Sequence, residues 1–271
     1  MNKPLALSLI IPAYNEEKHL KACLEAVAVQ SVMPIEVIVV NNNSTDDTVA
    51  IAGQYPFVRV INEKRQGIVY GRNAGFDAAK GQILGRIDAD SILPPHWVAS
   101  VLDFYKNNPA LDIAFTGGGK FYNVPLPSIT SWVLDQVAFR LNRLLLGHYI
   151  LYGSNMAIPK RVWEQVSDDA CVRTDIHEDL DLAIHVHRAG VPISYHAGVQ
   201  VGVKMRRVFR DHDKLWGNMM MWPQTLRIHG LKRWIWAWVG GFLLYVFTPL
   251  LYPFKAAQLA WSWTSNRLRN L

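Results

Sequence analysis

The chain has 271 residues, half of them hydrophobic, so it is long enough for one large domain or a domain with an appendage, and global disorder is excluded. Its formal net charge is +6, with basic residues concentrated between residues 204 and 234, directly before an apolar segment. This order favours an anionic lipid surface as the partner over nucleic acid, for which the sequence contains no motif. Cys23 and Cys171 have no metal-type spacing and are expected to be free thiols.

Strands and helices alternate in the first third of the chain. Residues 5–11 form an apolar run that ends at Pro12 without a cleavage site of small residues, which predicts a buried strand and not a signal peptide. Leu20, Leu24 and Val27 then recur at helical spacing. Further strands are predicted at residues 35–40, 57–62 and 82–87, and further helices from about Asp46, capped by Ser44 or Thr45, and over residues 69–81, closed by Gly81.

This alternation predicts an α/β fold in which a mainly parallel sheet is covered by helices and joined by right-handed crossovers. In such sheets, ligands bind beyond the carboxyl ends of the strands. Three polar turns, PAYNEE, NNNSTDDT and DADS, each follow a predicted strand. We therefore expect all three turns at the same edge of the sheet.

The middle of the chain is less regular. Three glycines at residues 117–119 predict a flexible or closely approached backbone. Residues 128–146 are expected to be helical, and residues 149–160 to form a strand interrupted by a turn of small residues. Residues 177–190 predict a helix that stops at Gly190. The first turn of this helix carries acidic residues, which the helix dipole tolerates, at Glu178, Asp179 and Asp181.

His177, Asp181 and His185 recur every four residues on that helix, a spacing that zinc ligands also use. Residues four apart lie on one face of a helix, and polar side chains there are commonly solvated. We interpret these three residues as a solvated polar face.

The last part of the chain changes character. Residues 234–254 contain no charged side chain, and such a run meets the length of about 20 residues that crossing a bilayer requires. Basic residues flank it, at Lys232, Arg233 and Lys255, and tryptophans suited to the headgroup region lie at Trp234, Trp236, Trp261 and Trp263. Pro249 and Pro253 leave a re-entrant or interfacial hairpin as the alternative to a straight helix.

Asp88 and Asp90 end the fourth predicted strand, where two neighbouring carboxylates repel each other and gain nothing from a core. Carboxylates are the hard ligands that Mg²⁺ or Mn²⁺ prefers when it is held together with a phosphate ester. The alternation of an extended segment lets one side chain take the metal while the other meets a sugar hydroxyl. The alternative is a solvated turn or a helix cap.

Other polar residues are expected at the same edge. Arg72 is a candidate contact for a nucleotide base or phosphate, or else a surface arginine. Tyr14 and Glu16 are candidates for framing a base and its ribose, although Glu16 also fits as an ordinary first-turn acid. Asn41 offers an amide to a base edge, or serves the turn alone.

Five segments resemble the family-2 glycosyltransferases in order and approximate spacing: IIPAYNEE, IEVIVVNNNSTDDT, GRNAGFDAAKGQILGRIDADS, GSNMAIPK and HEDLDLAIHVHRAG. The likeness covers roughly residues 5–207. It implies a GT-A fold, a nucleotide-diphospho-sugar as donor, a divalent metal (Mg²⁺ or Mn²⁺) and inversion at the anomeric carbon.

The resemblance also implies which residues bind the donor. Residues along the nucleotide would be Pro12, Ala13, Tyr14 and Glu16. Asn41 stands where such proteins most often have an aspartate that contacts uracil, which leaves the base preference open. Arg72 would contact the nucleotide, Asp88 the ribose or the metal, and Asp90 the metal.

On the acceptor and diphosphate side, Gly153, Ser154 and Asn155 match the loop that borders the acceptor. Asp179 matches the general base, with Glu178 beside it. Arg206 and Arg207 follow the last predicted strand and either add positive charge at the diphosphate or bind the membrane surface.

Taken together, these features predict three parts: a glycosyltransferase domain over residues 1–207, a basic amphipathic connector over residues 208–233 and a membrane-associated or transmembrane segment over residues 234–271. Because the basic stretch precedes the apolar one, we expect the catalytic domain on the cytoplasmic side. A membrane-held enzyme with a soluble donor suggests a lipid-linked or other membrane acceptor.

Two other functions stay open. One is a membrane-bound nucleotide-sugar-binding or scaffold protein on the same fold, for which Asn41 leaves room. The other is a sugar-nucleotide nucleotidyltransferase, although PAYNEE stands where its glycine-rich loop is expected. A dinucleotide-dependent oxidoreductase is disfavoured, because no G-x-G-x-x-G follows a strand.

Overall fold

A computed structural model describes residues 5–109, 112–122, 124, 126–204 and 212–247 of the chain. Within these residues, one sheet contains β1 (Leu7–Ala13), β2 (Glu36–Asn41), β3 (Val58–Asn62), β4 (Ile83–Arg86), β5 (Ala114–Phe121), β6 (Met156–Pro159) and β7 (Ile193–Val203). The strand order across the sheet is β3-β2-β1-β4-β6-β5-β7.

The first four strands are parallel: β1 pairs with β2 and with β4, and β2 pairs with β3. The apolar runs of β1, β2 and β4 are buried, as in β1, where Leu7, Leu9, Ile10 and Ile11 are at most 1% exposed, whereas the edge strand β3 is only partly buried. β6 runs antiparallel to both β4 and β5. The predicted α/β fold with a mainly parallel sheet is therefore confirmed. The antiparallel strand β6 lies between β4 and β5 in the sheet.

The helices of the described residues are α1 (Leu20–Ala28), α2 (Thr48–Ala52), α3 (Ile68–Ala78), α4 (Trp97–Asn107), α5 (Pro127–Asp135), α6 (Asn142–Leu146), α7 (Lys160–Val166), α8 (Glu178–Arg188), α9 (His212–Ile228) and α10 (Trp234–Phe247). Leu20, Leu24 and Val27 form the buried face of α1, as their spacing predicts. Gly190, just after α8, has a φ of 80°, the left-handed conformation expected of a helix stop.

Two predicted helix boundaries are wrong. α2 begins at Thr48 after Asp47, and Ser44 does not cap it, because its hydroxyl accepts the backbone N–H of Asn15 at 3.1 Å. α3 ends at Ala78, and Gly81 instead lies against β1, where its N–H donates to Ser8 Oγ at 2.8 Å. Ser44 is therefore used in a contact with the turn after β1, and Gly81 in a contact with β1 itself, so neither residue ends a helix as predicted.

The middle of the chain differs in part from its prediction. The glycines at residues 117–119 lie within β5 and are closely approached: a Cβ at Gly117 would lie 2.2 Å from the backbone oxygen of Val199. The predicted helix over residues 128–146 is three pieces, because a π-helical segment, Gln136–Leu141, separates α5 from α6. Only Met156–Pro159 of the predicted strand over residues 149–160 is extended in the sheet.

The chain forms two compact units. The first comprises Met1–Lys120, Asp135–Thr174 and Glu178–Val203 and contains most of the sheet. The second comprises Phe121–Leu134, Asp175–His177 and Lys204–Leu271. The predicted boundary at residue 207 falls within residues 205–211, which lie outside the described residues, and the predicted boundary at residue 233 also stays a prediction.

Within the second unit, α9 and α10 pack together, with the ring of Trp216 against those of Phe242 and Tyr245. α10 has 14 residues. Across the described part of the chain, no helix combines the length and apolar character that spanning a bilayer requires. The rest of the predicted membrane segment, residues 248–271, lies outside the described residues.

Gly75 sets the distance between α3 and the sheet, because a Cβ there would lie 2.4 Å from Ile10 Cγ2 and 3.0 Å from Val40 Cγ2. Overpacking of a core typically costs about 1–3 kcal/mol. We expect Gly75→Ala to lower the free energy of unfolding by about that amount in urea denaturation. Gly53→Ala is the control, since its Cβ would meet its neighbours at 3.5 Å or more; equal losses in both variants would contradict this packing.

Candidate active site

Acidic side chains gather where β1 and β4 end. The charges of Asp90, Asp88 and Glu16 all act on the Cys23 thiol, and together with burial, which is the main cause, they raise its pKa above the usual range. Cys23 Sγ lies 3.8 Å from the backbone oxygen of Asp88. The turns after β1 and β4 thus bring three carboxylates to one place, as the strand ends predict.

Arg86, the last residue of β4, connects this acidic edge to α8. Its side chain is 1% exposed, and its guanidinium Nη1 donates to Glu178 Oε1 at 2.7 Å and to Asp179 Oδ1. Nη2 donates to Asp88 Oδ1 at 3.1 Å. One buried cation therefore holds the end of β4 and the start of α8 together, although these lie more than 90 residues apart in sequence.

A second buried arginine supports the same helix end. Arg72 on α3 is 0% exposed, and its Nη1 donates to Glu178 Oε2 at 2.7 Å and to the Glu178 backbone oxygen at 2.8 Å. Its remaining guanidinium nitrogens donate to Asn73 Oδ1. In this structure the Arg72 guanidinium is enclosed and supports Glu178, and the predicted contact between Arg72 and a nucleotide stays a prediction.

The guanidinium groups of Arg72 and Arg86 face the carboxylates of Glu178, Asp179 and Asp88, and Asp90 and Glu16 add negative charge at the same edge. Burial, reinforced by the neighbouring Glu178 carboxylate, raises the pKa of Asp179 well above its usual value, although Arg86 opposes the shift. Asp179 can accept a proton as a general base only in its ionised form, which the Arg86 guanidinium favours.

The loop that precedes β6 packs against these acids. The Gly153 N–H donates to Asp179 Oδ2 at 2.9 Å, and a Cβ at Gly153 would lie 2.4 Å from both that oxygen and Arg86 Nη1. The Ser154 hydroxyl donates to Asp88 Oδ2 at 2.5 Å. This position accepts only glycine without displacing the arginine–aspartate pair.

Asn155, the third predicted residue of that loop, has a different task. It is 0% exposed, its amide oxygen accepts Trp97 Nε1–H at 2.7 Å, and its amide nitrogen donates to the backbone oxygens of Gly118 and Val199. Asn155 therefore anchors the loop to β5 and β7, and the prediction that this loop borders the acceptor stays a prediction.

The turns after β1 and β2 are tied to each other by backbone-to-side-chain hydrogen bonds. Asn15, at a φ of 53°, donates to Ser44 Oγ and accepts the Thr45 N–H at 2.8 Å, and the Glu16 N–H donates to Thr48 Oγ1 at 2.8 Å. Residues predicted along the nucleotide lie on this frame, with Pro12 and Glu16 partly buried, Ala13 buried and Tyr14 50% exposed.

Asn41 ends β2 beside that frame. Its amide nitrogen donates to Asn62 Oδ1 at 2.8 Å, and its amide oxygen accepts the Ser44 N–H at 2.9 Å. The predicted contact between Asn41 and a base thus requires the spare acceptor capacity of the amide oxygen or an exchange of these hydrogen bonds.

Two residues of the site were missed from sequence. Arg86 carries a signal, because a charged residue inside a buried strand two positions before Asp88 points to the same face as that aspartate. Asn42 is 3% exposed and pins the loop before α3, since its amide nitrogen donates to the backbone oxygens of Glu63 and Arg65 and its oxygen accepts the Gly67 N–H. No sequence pattern distinguishes it from its two asparagine neighbours.

The donor set at the strand end fits a hard divalent cation. Asp88 has a side chain that is 34% exposed, Asp90 is partly buried, and both offer carboxylate oxygens, which Mg²⁺ and Mn²⁺ prefer. Each Asp88 oxygen accepts one hydrogen bond and retains another lone pair. The surplus negative charge around Arg86 also favours a cation here.

Fold and site together define an α/β domain with a carboxylate cluster at the ends of its parallel strands. The chain belongs to glycosyl transferase family 2, whose family model matches residues 8–166. This confirms the predicted family. Asp179 lies beyond the matched residues, so its role depends on the geometry described above.

The sequence is also similar to that of a known bacterial synthase. Chondroitin synthase from Escherichia coli is 32% identical over 114 residues, which cover 41% of this chain and 17% of that protein. The alignment thus spans less than a fifth of that relative's length.

Two solved structures share the fold. The mannosyltransferase PcManGT from Pyrobaculum calidifontis, in complex with GDP-Man and Mn²⁺, has a TM-score of 0.66 and 18% identity, covering 97% of this chain and 76% of its own. TarS 1–349 from S. aureus, in complex with UDP-GlcNAc, has a TM-score of 0.60 and 18% identity, covering 82% and 66%. At this identity the likeness concerns the fold, which is of the predicted GT-A type.

Arg206 and Arg207 lie outside the described residues. Their predicted roles, at the diphosphate or at a membrane surface, stay predictions.

Arg86 is expected to dominate the stability of the site. Arg86→Met keeps an apolar side chain of similar length but leaves Glu178 and Asp179 without their shared cation, and breaking a buried pair in this way costs about 3–5 kcal/mol. We expect a loss of that size in urea denaturation. Arg59→Met is the control, because Arg59 pairs with Glu36 but its own side chain is 39% exposed. A similar loss of unfolding free energy in Arg59→Met would contradict the special role of Arg86.

Proposed function

We propose that this protein transfers a sugar from a nucleotide-diphospho-sugar to a hydroxyl or phosphate acceptor with inversion at the anomeric carbon. One observation carries the proposal: Arg86 holds Asp88, at the end of β4, and Asp179, at the start of α8, on the two nitrogens of one guanidinium. A candidate donor-side acid and a candidate base are thereby held in one cluster.

The donor nucleotide would bind along the frame formed by the turns after β1 and β2. Support comes from the half-exposed Tyr14 ring, which offers a stacking face, and from Glu16 and Asn41, which offer acceptors for ribose hydroxyls and base N–H groups. PcManGT was solved with GDP-Man and TarS with UDP-GlcNAc, so the fold accommodates more than one base and sugar. Binding measurements with different nucleotide sugars identify the donor of this protein.

Asp90, together with Asp88, would hold a divalent metal, Mg²⁺ or Mn²⁺. Such a metal, when bound, supplies Lewis-acid stabilisation of the leaving diphosphate. Arg86 orients Asp88, since Nη2 donates to Asp88 Oδ1.

Asp179 would act as the general base. As the acceptor oxygen forms its bond to the anomeric carbon, its proton passes to an Asp179 oxygen, and the bond from that carbon to the diphosphate oxygen breaks with its electron pair going to the nucleotide. Attack opposite the leaving group inverts the anomeric centre. Arg86 and the Gly153 N–H each donate to a different Asp179 oxygen, which orients the carboxylate for this task.

A second candidate function is nucleotide-sugar binding without transfer. The observation that favours it is the enclosure of Asp179, whose two oxygens already accept hydrogen bonds from Arg86 and from the Gly153 N–H. The experiment below separates the two functions, because only the transferase turns the donor over.

Donor binding is measured with purified full-length protein, UDP-, GDP-, dTDP- and CMP-sugars, and Mg²⁺ or Mn²⁺, before and after chelation. Turnover is measured in the same mixtures as hydrolysis of the donor, in which water takes the place of the acceptor. We expect one donor class to bind only with metal and Asp90→Asn to lose that binding. Asp179→Asn should retain donor binding, while turnover falls by about 10²–10⁴-fold because the base is lost.

Asp103→Asn is the matched control, since Asp103 is exposed on α4 and pairs with Lys106. It should leave both measurements unchanged. Metal-dependent binding without turnover in the unaltered protein would favour the binding function, and binding of no donor with either metal would overturn both.

We further propose that α10 and the residues after it attach the protein to an anionic membrane surface, with the catalytic unit on the cytoplasmic side and a lipid-linked acceptor. Support comes from apolar side chains that are exposed along α10, at Ile235, Trp236, Trp238, Phe242 and Val246. Lys232 and Arg233 precede the helix and complement anionic headgroups.

Flotation with lipid vesicles tests this attachment. We expect the protein to float with phosphatidylserine-containing vesicles more than with phosphatidylcholine alone. Trp236→Ser should weaken binding about tenfold, since burying a large apolar side chain contributes roughly 1.5 kcal/mol. Ile35→Ser, which alters an exposed apolar side chain of the first unit, is the control. Equal flotation of all three proteins, or none, would contradict the proposed surface.

A further inference from the structure

A second group of metal-ligating side chains lies on α8 and on the loop before it, among residues that the proposed transfer does not use. Cys171 follows α7, and Asp181 and His185 are one turn apart on α8. Their ligand atoms all lie within 4.8 Å of one another. The three residues belong to the first compact unit.

The distance between His185 Nε2 and Asp181 Oδ1 suits a shared ion better than a direct hydrogen bond. His185 Nε2 lies 3.5 Å from Asp181 Oδ1 and 3.9 Å from Cys171 Sγ. A good N–H···O hydrogen bond measures about 2.7–3.2 Å. Ligand atoms around a tetrahedral zinc ion, with bonds of about 2.0–2.3 Å, lie roughly 3.3–3.6 Å apart.

The surroundings hold these ligands in place. Asp181 is 0% exposed, and its Oδ2 accepts the Cys171 backbone N–H at 3.0 Å, while Oδ1 is the oxygen nearest His185. The His185 side chain is 13% exposed, and Cys171 is partly buried. The expectation of a solvated polar face on α8 is therefore corrected, because the carboxylate at its centre is enclosed.

The chemistry of the donor set differs from that of Asp88 and Asp90. A thiolate, an imidazole and a carboxylate together select zinc or a similar borderline cation, whereas Mg²⁺ and Mn²⁺ prefer oxygen ligands alone. Burial and the Asp181 carboxylate raise the pKa of the Cys171 thiol to about 11, although Arg173 and Arg188 oppose the shift. A bound divalent cation would replace the thiol proton, so zinc binding releases that proton and forms the Zn–S bond.

We propose that Cys171, Asp181 and His185 bind a zinc ion through Sγ, Oδ1 and Nε2, with the fourth coordination position taken by water or a further ligand. The site is structural: it ties the loop after α7 to the first turns of α8, two residues from Asp179. It is separate from the proposed metal at Asp88 and Asp90 and does not depend on the proposed transfer.

Metal content and cobalt spectroscopy of the full-length protein test the site. After dialysis against a weak chelator, the protein should retain one zinc ion per chain by mass spectrometry of the metal. Co²⁺ in place of zinc should give a thiolate-to-cobalt charge-transfer band and the intense visible bands of tetrahedral cobalt. Cys171→Ser should abolish the charge-transfer band, and His185→Gln should weaken zinc binding by roughly 100-fold or more in a chelator competition.

His187→Gln is the matched control, because His187 lies on the same helix and stacks on His148 instead. It should retain zinc and the cobalt bands. Absence of stoichiometric zinc and of the charge-transfer band in the unaltered protein would overturn the proposal without requiring any variant to fold. Unchanged zinc affinity in folded Cys171→Ser and His185→Gln would also overturn it. Neither readout involves a sugar donor, so the outcome is independent of transferase activity.

Discussion

The buried guanidinium of Arg86 is the interaction on which the rest of the site depends. A cation out of water requires carboxylates around it, and Arg86 obtains them from Asp88, two residues along its own segment, and from Glu178 and Asp179 on α8. Meeting this requirement forces the end of β4 against the start of α8. It also explains why Gly153 carries no side chain, since a Cβ would lie 2.4 Å from the arginine–aspartate pair.

The same cluster links stability to chemistry. Arg72 and Arg86 fix the positions of the three carboxylates that they contact, and this arrangement is the physical basis for both proposed roles at the sheet edge. At Asp179, burial and Glu178 raise the pKa, and Arg86 opposes that shift by favouring the ionised form. Where solvent is closer, at Asp88 and Asp90, the charge suits a divalent cation. Two of the proposed zinc ligands, Asp181 and His185, follow Asp179 on α8, whereas Arg86 contacts the start of that helix. The helix would therefore be held in place on both sides of the base.

Sequence periodicity predicted the elements well where burial decides conformation. β1, β2 and α1 follow from continuous apolar runs and from Leu20, Leu24 and Val27. The sequence did not predict the protein partners of single polar residues. Arg72 and Asn155 are both fully buried, and each is bonded to a distant part of the chain. Their partners, Glu178 and Trp97, are 106 and 58 residues away in sequence, and no local pattern encodes such a distance.

The sequence by itself determined the family, the α/β class and the placement of Asp88 and Asp90 at a strand end, because period-two and period-3.6 patterns and ordered motifs are local properties of a chain. Only the tertiary structure decided that Arg86 organises the acids, that Asp181 is enclosed beside Cys171 and His185, and that Asn155 anchors its loop. These facts depend on which side chains meet across the fold. Burial and charge pairing, which decide such meetings, are properties of the packed chain.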